Sequence, residues 1–214
     1  MKVFVVGANG QIGKYLVDLL NESKDHDVRA MIRKEDQRRH FERNGIDSVV
    51  VSLTGSVDEL ANAAKGCDAI VFTAGSGGST GADQTLLIDL DGAVKTIEAA
   101  ENLGIRRFIM VSAFQANNRD NWNEAIKPYY VAKHYADRAL LQSDLEYTII
   151  RPGGLVNEPG TGKVTAAEGA ERGSISREDV ARTILAALTE ENTYKRSFDL
   201  VAGETEIPDA LRSM

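Results

Sequence analysis

The sequence predicts an α/β fold, a doubly wound parallel sheet with helices on both faces. Three observations predict it. Short β-branched runs alternate with helical patterns along the chain. Those runs are nearly all apolar, as strands buried on both faces must be. The first run, Val3–Val6, leads into V-G-A-N-G-Q-I-G, three glycines at three-residue intervals opening a helix. One domain is expected over 1–214, with 153–175 and 190–214 forming a small lobe on one side.

Val3–Val6 is the first strand. Ile12–Asn21 follows as a helix, with Ile12, Leu16, Leu19 and Leu20 on one face. Val28–Ile32 is the second strand, and Gln37–Asn44 a polar helix stopped by Gly45. Ser48–Leu53 is the third strand; Val57–Ala64 is a helix ended near Gly66. Ala69–Thr73 is the fourth strand, followed by the glycine and serine loop Gly75–Gly81. Asp83–Leu103 is a long helix with Leu87, Leu90, Val94 and Ile97 at spacings of three and four. Phe108–Val111 is the fifth strand, Asn117–Asn123 a polar loop, Tyr129–Gln142 a helix and Tyr147–Ile150 the sixth strand. Residues 153–173 are loop-rich. Ser176 caps the helix Arg177–Leu188, and Ser197–Leu200 is a last strand.

The 214 residues carry a net charge of −7 with Lys and Arg scattered, which argues against nucleic acid or an anionic membrane as partner. A single cysteine, Cys67, allows no internal disulfide and fits a reducing compartment. No apolar stretch approaches the roughly 18 residues a membrane span needs, and the first apolar run is too short for a secretory signal. A cytoplasmic protein is expected. His26, His40 and His134 are too dispersed for a metal site, and His134 is read as exposed.

The glycine series explains itself at the carboxyl end of a first strand, where doubly wound sheets bind their ligands. Gly7 can adopt a turn closed to other residues, Gly10 lets a pyrophosphate approach the backbone, and Gly13 lets the helix pack close to the strand. The amides at the helix start then face phosphates. The second strand ends in Arg33 and Lys34 where a chain selecting NAD offers a carboxylate. A guanidinium there pairs with a 2′-phosphate, so NADP(H) is expected ahead of NAD.

These residues resemble the short-chain dehydrogenase/reductase superfamily, in its atypical NAD(P)H-binding branch near the epimerase/dehydratase, NmrA-like and biliverdin-reductase-B-like proteins. The likeness rests on G-A-N-G-Q-I-G, T-A-G at Thr73–Gly75, D-L-D-G at Asp89–Gly92, V-S-A at Val111–Ala113, Y-Y-V-A-K at Tyr129–Lys133, R-P-G-G at Arg151–Gly154 and I-S-R-E-D-V-A at Ile175–Ala181. It implies a Rossmann fold and a cofactor held by Gly7, Asn9, Gly10, Gln11, Ile12, Gly13, Arg33, Lys34, Leu53, Thr73, Ala74, Gly75, Lys133, Pro152 and Gly153. It implies catalysis by Tyr129 with Lys133, aided by Ser112 and Asp89, and it admits a homodimer, though no helix announces an interface.

Tyr129 and Lys133 are one helical turn apart and share a face. The ammonium is expected to lower the phenol's pKa from about 10. Two departures from the family pattern matter. The family's helper hydroxyl falls on Ser112 or, with a shift of one, on Ala113. Asp89 replaces an asparagine and cannot donate as an amide does. The expected function is hydride transfer between the nicotinamide and a small carbonyl or hydroxyl compound, in an oxidoreductase or epimerase-like enzyme. The alternative is an NmrA-like redox sensor that binds the cofactor without turning it over. Trp122 either roofs the substrate pocket or pins its own loop to the sheet.

Overall fold

Along β1 (Lys2–Val6) side chains alternate between two cores. Val3 and Val5 enter one apolar cluster, Phe4 another with Val6. The same alternation runs through β2 (Asp27–Ile32), β4 (Ala69–Phe72) and β5 (Arg107–Val111), so these strands bury both faces. On the first face α1 (Gln11–Glu22) contributes Leu16, Val17 and Leu20. α2 (Arg38–Arg43) adds Phe41 to the same cluster. On the second face lie Leu60 of α3 (Val57–Ala64) and Ile97 of α5 (Gly92–Leu103). The computed structural model describes residues 1–214.

β3 (Asp47–Val50) is shorter than the sequence suggests, because the chain leaves the sheet before Leu53. α4 (Ala82–Gln84) and α5 are joined by a π-helical stretch, Thr85–Asp91, so the expected long helix exists but is underwound near its start. π-turns gather at functional sites, and this one carries Asp89. α6 (Lys127–Leu141) begins two residues before the expected start, with Pro128 in its first turn, where a missing amide costs nothing. β6 (Glu146–Pro152) follows it.

The loop-rich stretch after β6 holds three strands that the pattern did not reveal: β7 (Gly154–Val156), β8 (Lys163–Ala167) and β9 (Ser174–Ser176). Each is only three to five residues long and none carries a continuous apolar run. α7 (Arg177–Ala187) packs beside α1 on the first face. β10 (Arg196–Ala202), β11 (Thr205–Glu206) and α8 (Ile207–Arg212) end the chain.

The main sheet has nine strands in the order β11-β8-β10-β6-β5-β4-β1-β2-β3. From β3 to β10 every pairing is parallel. β8 and β11 extend the far edge antiparallel, a departure from an all-parallel sheet. β7 and β9 form a separate parallel pair. The strand order reverses between β1 and β4, which opens a crevice at their carboxyl ends. No helix is long and apolar enough to cross a membrane.

Candidate functional site

The crevice is built by the turn after β1. Gly7 sits at φ +91°, and a Cβ there would come within 2.7 Å of the Ala74 nitrogen. A Cβ on Gly13 would collide with the Gly7 carbonyl oxygen. Glycine at these two positions lets β1, α1 and the end of β4 meet. The Gly10 amide donates to Gly7 O at 2.8 Å and closes the turn. No side chain caps α1 and no acid lies in its first turn, so the amides of Gln11, Ile12 and Gly13 retain their positive field.

The crevice encloses about 280 Å³. Of the expected cofactor residues, Gly7, Asn9, Gly10, Arg33, Leu53, Thr73, Ala74 and Gly75 line it. Ile12 and Gly13 are buried in the first turn of α1 behind it, and Lys34 is exposed just outside. Pro152 and Gly153 stand further along the sheet, at the end of β6. The Gly153 amide is already spent there on Leu200 O at 2.9 Å.

Arg33 is exposed, and its guanidinium has no acceptor or ion-pair partner within the chain. Arg38, the rival cation, is tied to Glu35 at 2.5 Å and to Ser48 O at 3.2 Å. Gln37 Oε1 accepts from the amides of Arg33 at 3.1 Å and Lys34 at 3.3 Å, which shapes the rim. Gln37, Ser52, Thr80 and Gln84 also line the crevice and escaped the sequence reading. Ser52 and Thr80 sit on loops with no periodic pattern, and Gln37 and Gln84 lie in short helical turns where a polar residue reads as an ordinary solvated face.

Lys133 is 3% exposed. Its Nζ lies 3.2 Å from Val111 O, 3.5 Å from Ala74 O and 3.5 Å from Asp89 Oδ1. Asp89 is fully buried, and its other oxygen accepts from the Ser76 amide at 2.9 Å. Where an asparagine would offer a neutral amide, this chain places a counter-charge. Tyr129 is half-buried, its ring 5.7 Å from Lys133 Nζ. Burial raises the phenol above its ordinary value; Lys133 opposes this, and Asp89 reinforces it. The expected lowering of the Tyr129 pKa is therefore reversed, because desolvation of the phenolate outweighs the attraction of an ammonium already shared with Asp89.

Ser112 is 3% exposed, and its Oγ has no hydrogen-bond partner of good geometry. It lies on the α6 side of the sheet near Asp137. Burial pushes that carboxyl up, while Arg151, paired with it at 2.9 Å, and the Ser112 hydroxyl draw it down. Ala113 belongs to the small apolar cluster, with Ala116 and Tyr130, against which Tyr129 and Trp122 pack. Trp122 donates to Ala116 O at 3.1 Å and stacks on Tyr130, so it pins its loop. His134 is buried, not exposed: its Nδ1 lies 2.9 Å from the same Ala116 O, because the loop folds back over that face of α6.

The motif at the start of α7 has a local task. Asp179 accepts from the amides of Thr161 at 2.8 Å and Gly162 at 2.9 Å, and Glu178 from that of Gly160 at 2.8 Å. The helix start thereby fastens the loop after β7.

The sequence profile of an NAD(P)H-binding family matches residues 7–191. The chain belongs to the NAD(P)H-binding family. It is 64% identical to the "Uncharacterized sugar epimerase YhfK" of Bacillus subtilis, with all of both chains covered. A solved structure, "Putative NAD-dependent epimerase/dehydratase from Bacillus halodurans", is 42% identical with a TM-score of 0.93, and the match covers both chains fully. The oxidoreductase ylbE from Lactococcus lactis is 33% identical, with a TM-score of 0.89 over 100% of this chain and 96% of that one. The NAD(P)H-binding chain is thus of the epimerase/dehydratase, atypical short-chain dehydrogenase/reductase type. Its own residues fit a dinucleotide: an uncapped helix start, a glycine turn open to the crevice, a free guanidinium at the rim and a buried ammonium behind it.

Proposed function

We propose that this protein is an NADP(H)-dependent oxidoreductase or epimerase-like enzyme acting on a small carbonyl or hydroxyl compound. The observation that carries this reading is the buried Lys133–Asp89 pair one helical turn from Tyr129, beside the crevice. The dinucleotide, when bound, supplies or accepts the hydride at the substrate carbon. The α1 amides and the Gly7–Gly13 turn hold its phosphates, and Arg33 with Lys34 receives the 2′-phosphate. Pro152 and Gly153 border the nicotinamide end.

Reduction of a carbonyl consumes one hydride and one proton. Tyr129, a phenol at neutral pH as any tyrosine is, with burial opposing its ionisation, donates that proton to the carbonyl oxygen. Lys133 stabilises the phenolate left behind, and Asp89 keeps the ammonium oriented. Bulk solvent then restores the phenol. Residues 153–175, which follow β6, form the substrate side, whereas residues 190–195 pack around Arg107 at the opposite end of β5. A second reading, a cofactor-binding redox sensor, draws support from Ala113 packing in the cluster beside Tyr129 while the Ser112 hydroxyl lies near Asp137.

The test is NADPH consumption against a panel of quinones, aldehydes and ketones. Tyr129→Phe is expected to lower turnover by about 100-fold or more while leaving NADPH affinity near the parent value. Tight NADPH binding with no turnover on any compound selects the sensor.

A further inference from the structure

Asp199, on β10, is 2% exposed and sits outside every motif described above. One of its oxygens accepts from the Gln115 amide at 3.0 Å, the other from the Gly169 amide at 3.1 Å. These amides belong to two separate loops. The first, between β5 and α6, carries the Ala113, Ala116 and Trp122 cluster that packs on Tyr129 and Tyr130. The second, between β8 and β9, ends at Gly173, whose carbonyl accepts from the Gly154 amide at 2.9 Å beside the end of β6. Asp199 therefore joins the wall that carries Tyr129 to the wall at Pro152 and Gly153.

Further contacts follow the same seam. Gln115 Nε2 donates to Ala170 O at 3.0 Å, and Asn121 Nδ2 to Gln115 Oε1 at 2.5 Å. Arg172 donates to Asn121 O at 3.3 Å and covers the Phe114 ring. Gln115 is held at φ 51°, a left-handed backbone costly for a side chain other than glycine. It is the amide of this same residue that reaches Asp199.

We propose that Asp199 is a positioning residue for the proposed reaction: its two carboxylate oxygens hold the two substrate-side loops at a fixed separation beside Tyr129. The chemistry is specific to a carboxylate. Both neighbours are N–H donors, so both oxygens must accept. An asparagine offers one acceptor, and its NH₂ would then oppose a donor. The inference rests on the functional reading above only for its kinetic arm.

The experiment uses the full chain with Asp199→Asn. Trp122 is the only tryptophan, so its fluorescence reports on the first loop alone. Acrylamide quenching of Trp122 is expected to rise by about twofold or more, with the NADPH dissociation constant within about twofold of the parent. For any quinone, aldehyde or ketone that the parent reduces, KM is expected to rise about tenfold, with kcat within about threefold. Unchanged quenching and unchanged KM in a folded Asp199→Asn protein would overturn the proposal. So would equal losses in NADPH binding and KM, which signal general damage. Arg172→Ala, an exposed change that leaves Asp199 intact, serves if Asp199→Asn does not fold: it is expected to raise Trp122 quenching in the same direction, and no change there overturns the coupling of the two loops. A parent with no turnover sinks the enzyme reading and leaves the quenching arm to decide this one.

Discussion

Arg33 and Arg38 lie five positions apart and are chemically identical, yet only one is available to a ligand. Arg38 is committed to Glu35 and Ser48 O; Arg33 is not. Arg33→Ala is expected to weaken NADPH binding by about tenfold or more and NADH binding by less than about twofold, measured by titration of each. Equal losses would remove the 2′-phosphate assignment. The place of this residue on the crevice was legible in sequence because it follows β2, the strand beside the one that ends in the glycine turn. The behaviour of Tyr129 was not. Spacing put an ammonium one turn away, but the depth of burial and the sharing of Lys133 with Asp89 arise only when β4, β5 and α6 come together. Ser112 shows the same limit: the motif names two adjacent candidates, and the pleat of the sheet decides which way each one faces.

Elements with strong periodicity were readable, and those without it were not. β1, β2, β4, β5 and β6 announce themselves because both faces are buried and each carries an apolar run. β7, β8, β9 and β11 are two to five residues long, and they form because a partner strand is at hand: β10 for β8, β8 for β11, and β7 and β9 for each other. At the other edge, Asp47 of β3 joins Lys2 of β1 and Arg29 of β2, each at 2.8 Å. Desolvation would raise this carboxyl, but the two cations together outweigh it and hold it below the usual range. Its stabilising effect is therefore present above the unfolded value near 3.9 and is lost as pH falls through the lower folded one. Asp47→Asn is expected to shrink the loss of urea midpoint between about pH 7 and about pH 3, by an amount worth less than about 1 kcal/mol since the pair is partly exposed. An unchanged acid dependence would place that stability elsewhere.

At the scale of the whole molecule, one buried cation links distant parts of the chain. Arg107, 4% exposed, donates to Leu188 O, Ala187 O, Glu146 O, Thr148 Oγ1 and Thr193 Oγ1, and its guanidinium lies 4.2 Å from the centre of the Tyr194 ring. Burial brings its pKa down to about 10, so it stays charged at neutral pH. Five acceptors compensate for the absence of a carboxylate. Arg107→Met is expected to cost about 3 kcal/mol or more of unfolding free energy, read by urea denaturation, because the orphaned carbonyls at the end of α7 stay buried. A loss under about 1 kcal/mol would mean that they find water instead. Two of the bonds span 80 and 81 residues, which also bears on the order in which the nascent chain takes shape. While the first half of the sheet emerges from the ribosome, Arg107 stands at the foot of β5 with none of its later acceptors yet made. The cation is discharged from water into its final cage only after Thr193 has been synthesised. A fragment ending before α7 is thus expected to unfold without a cooperative transition, even though it contains the entire glycine turn and the strands around it.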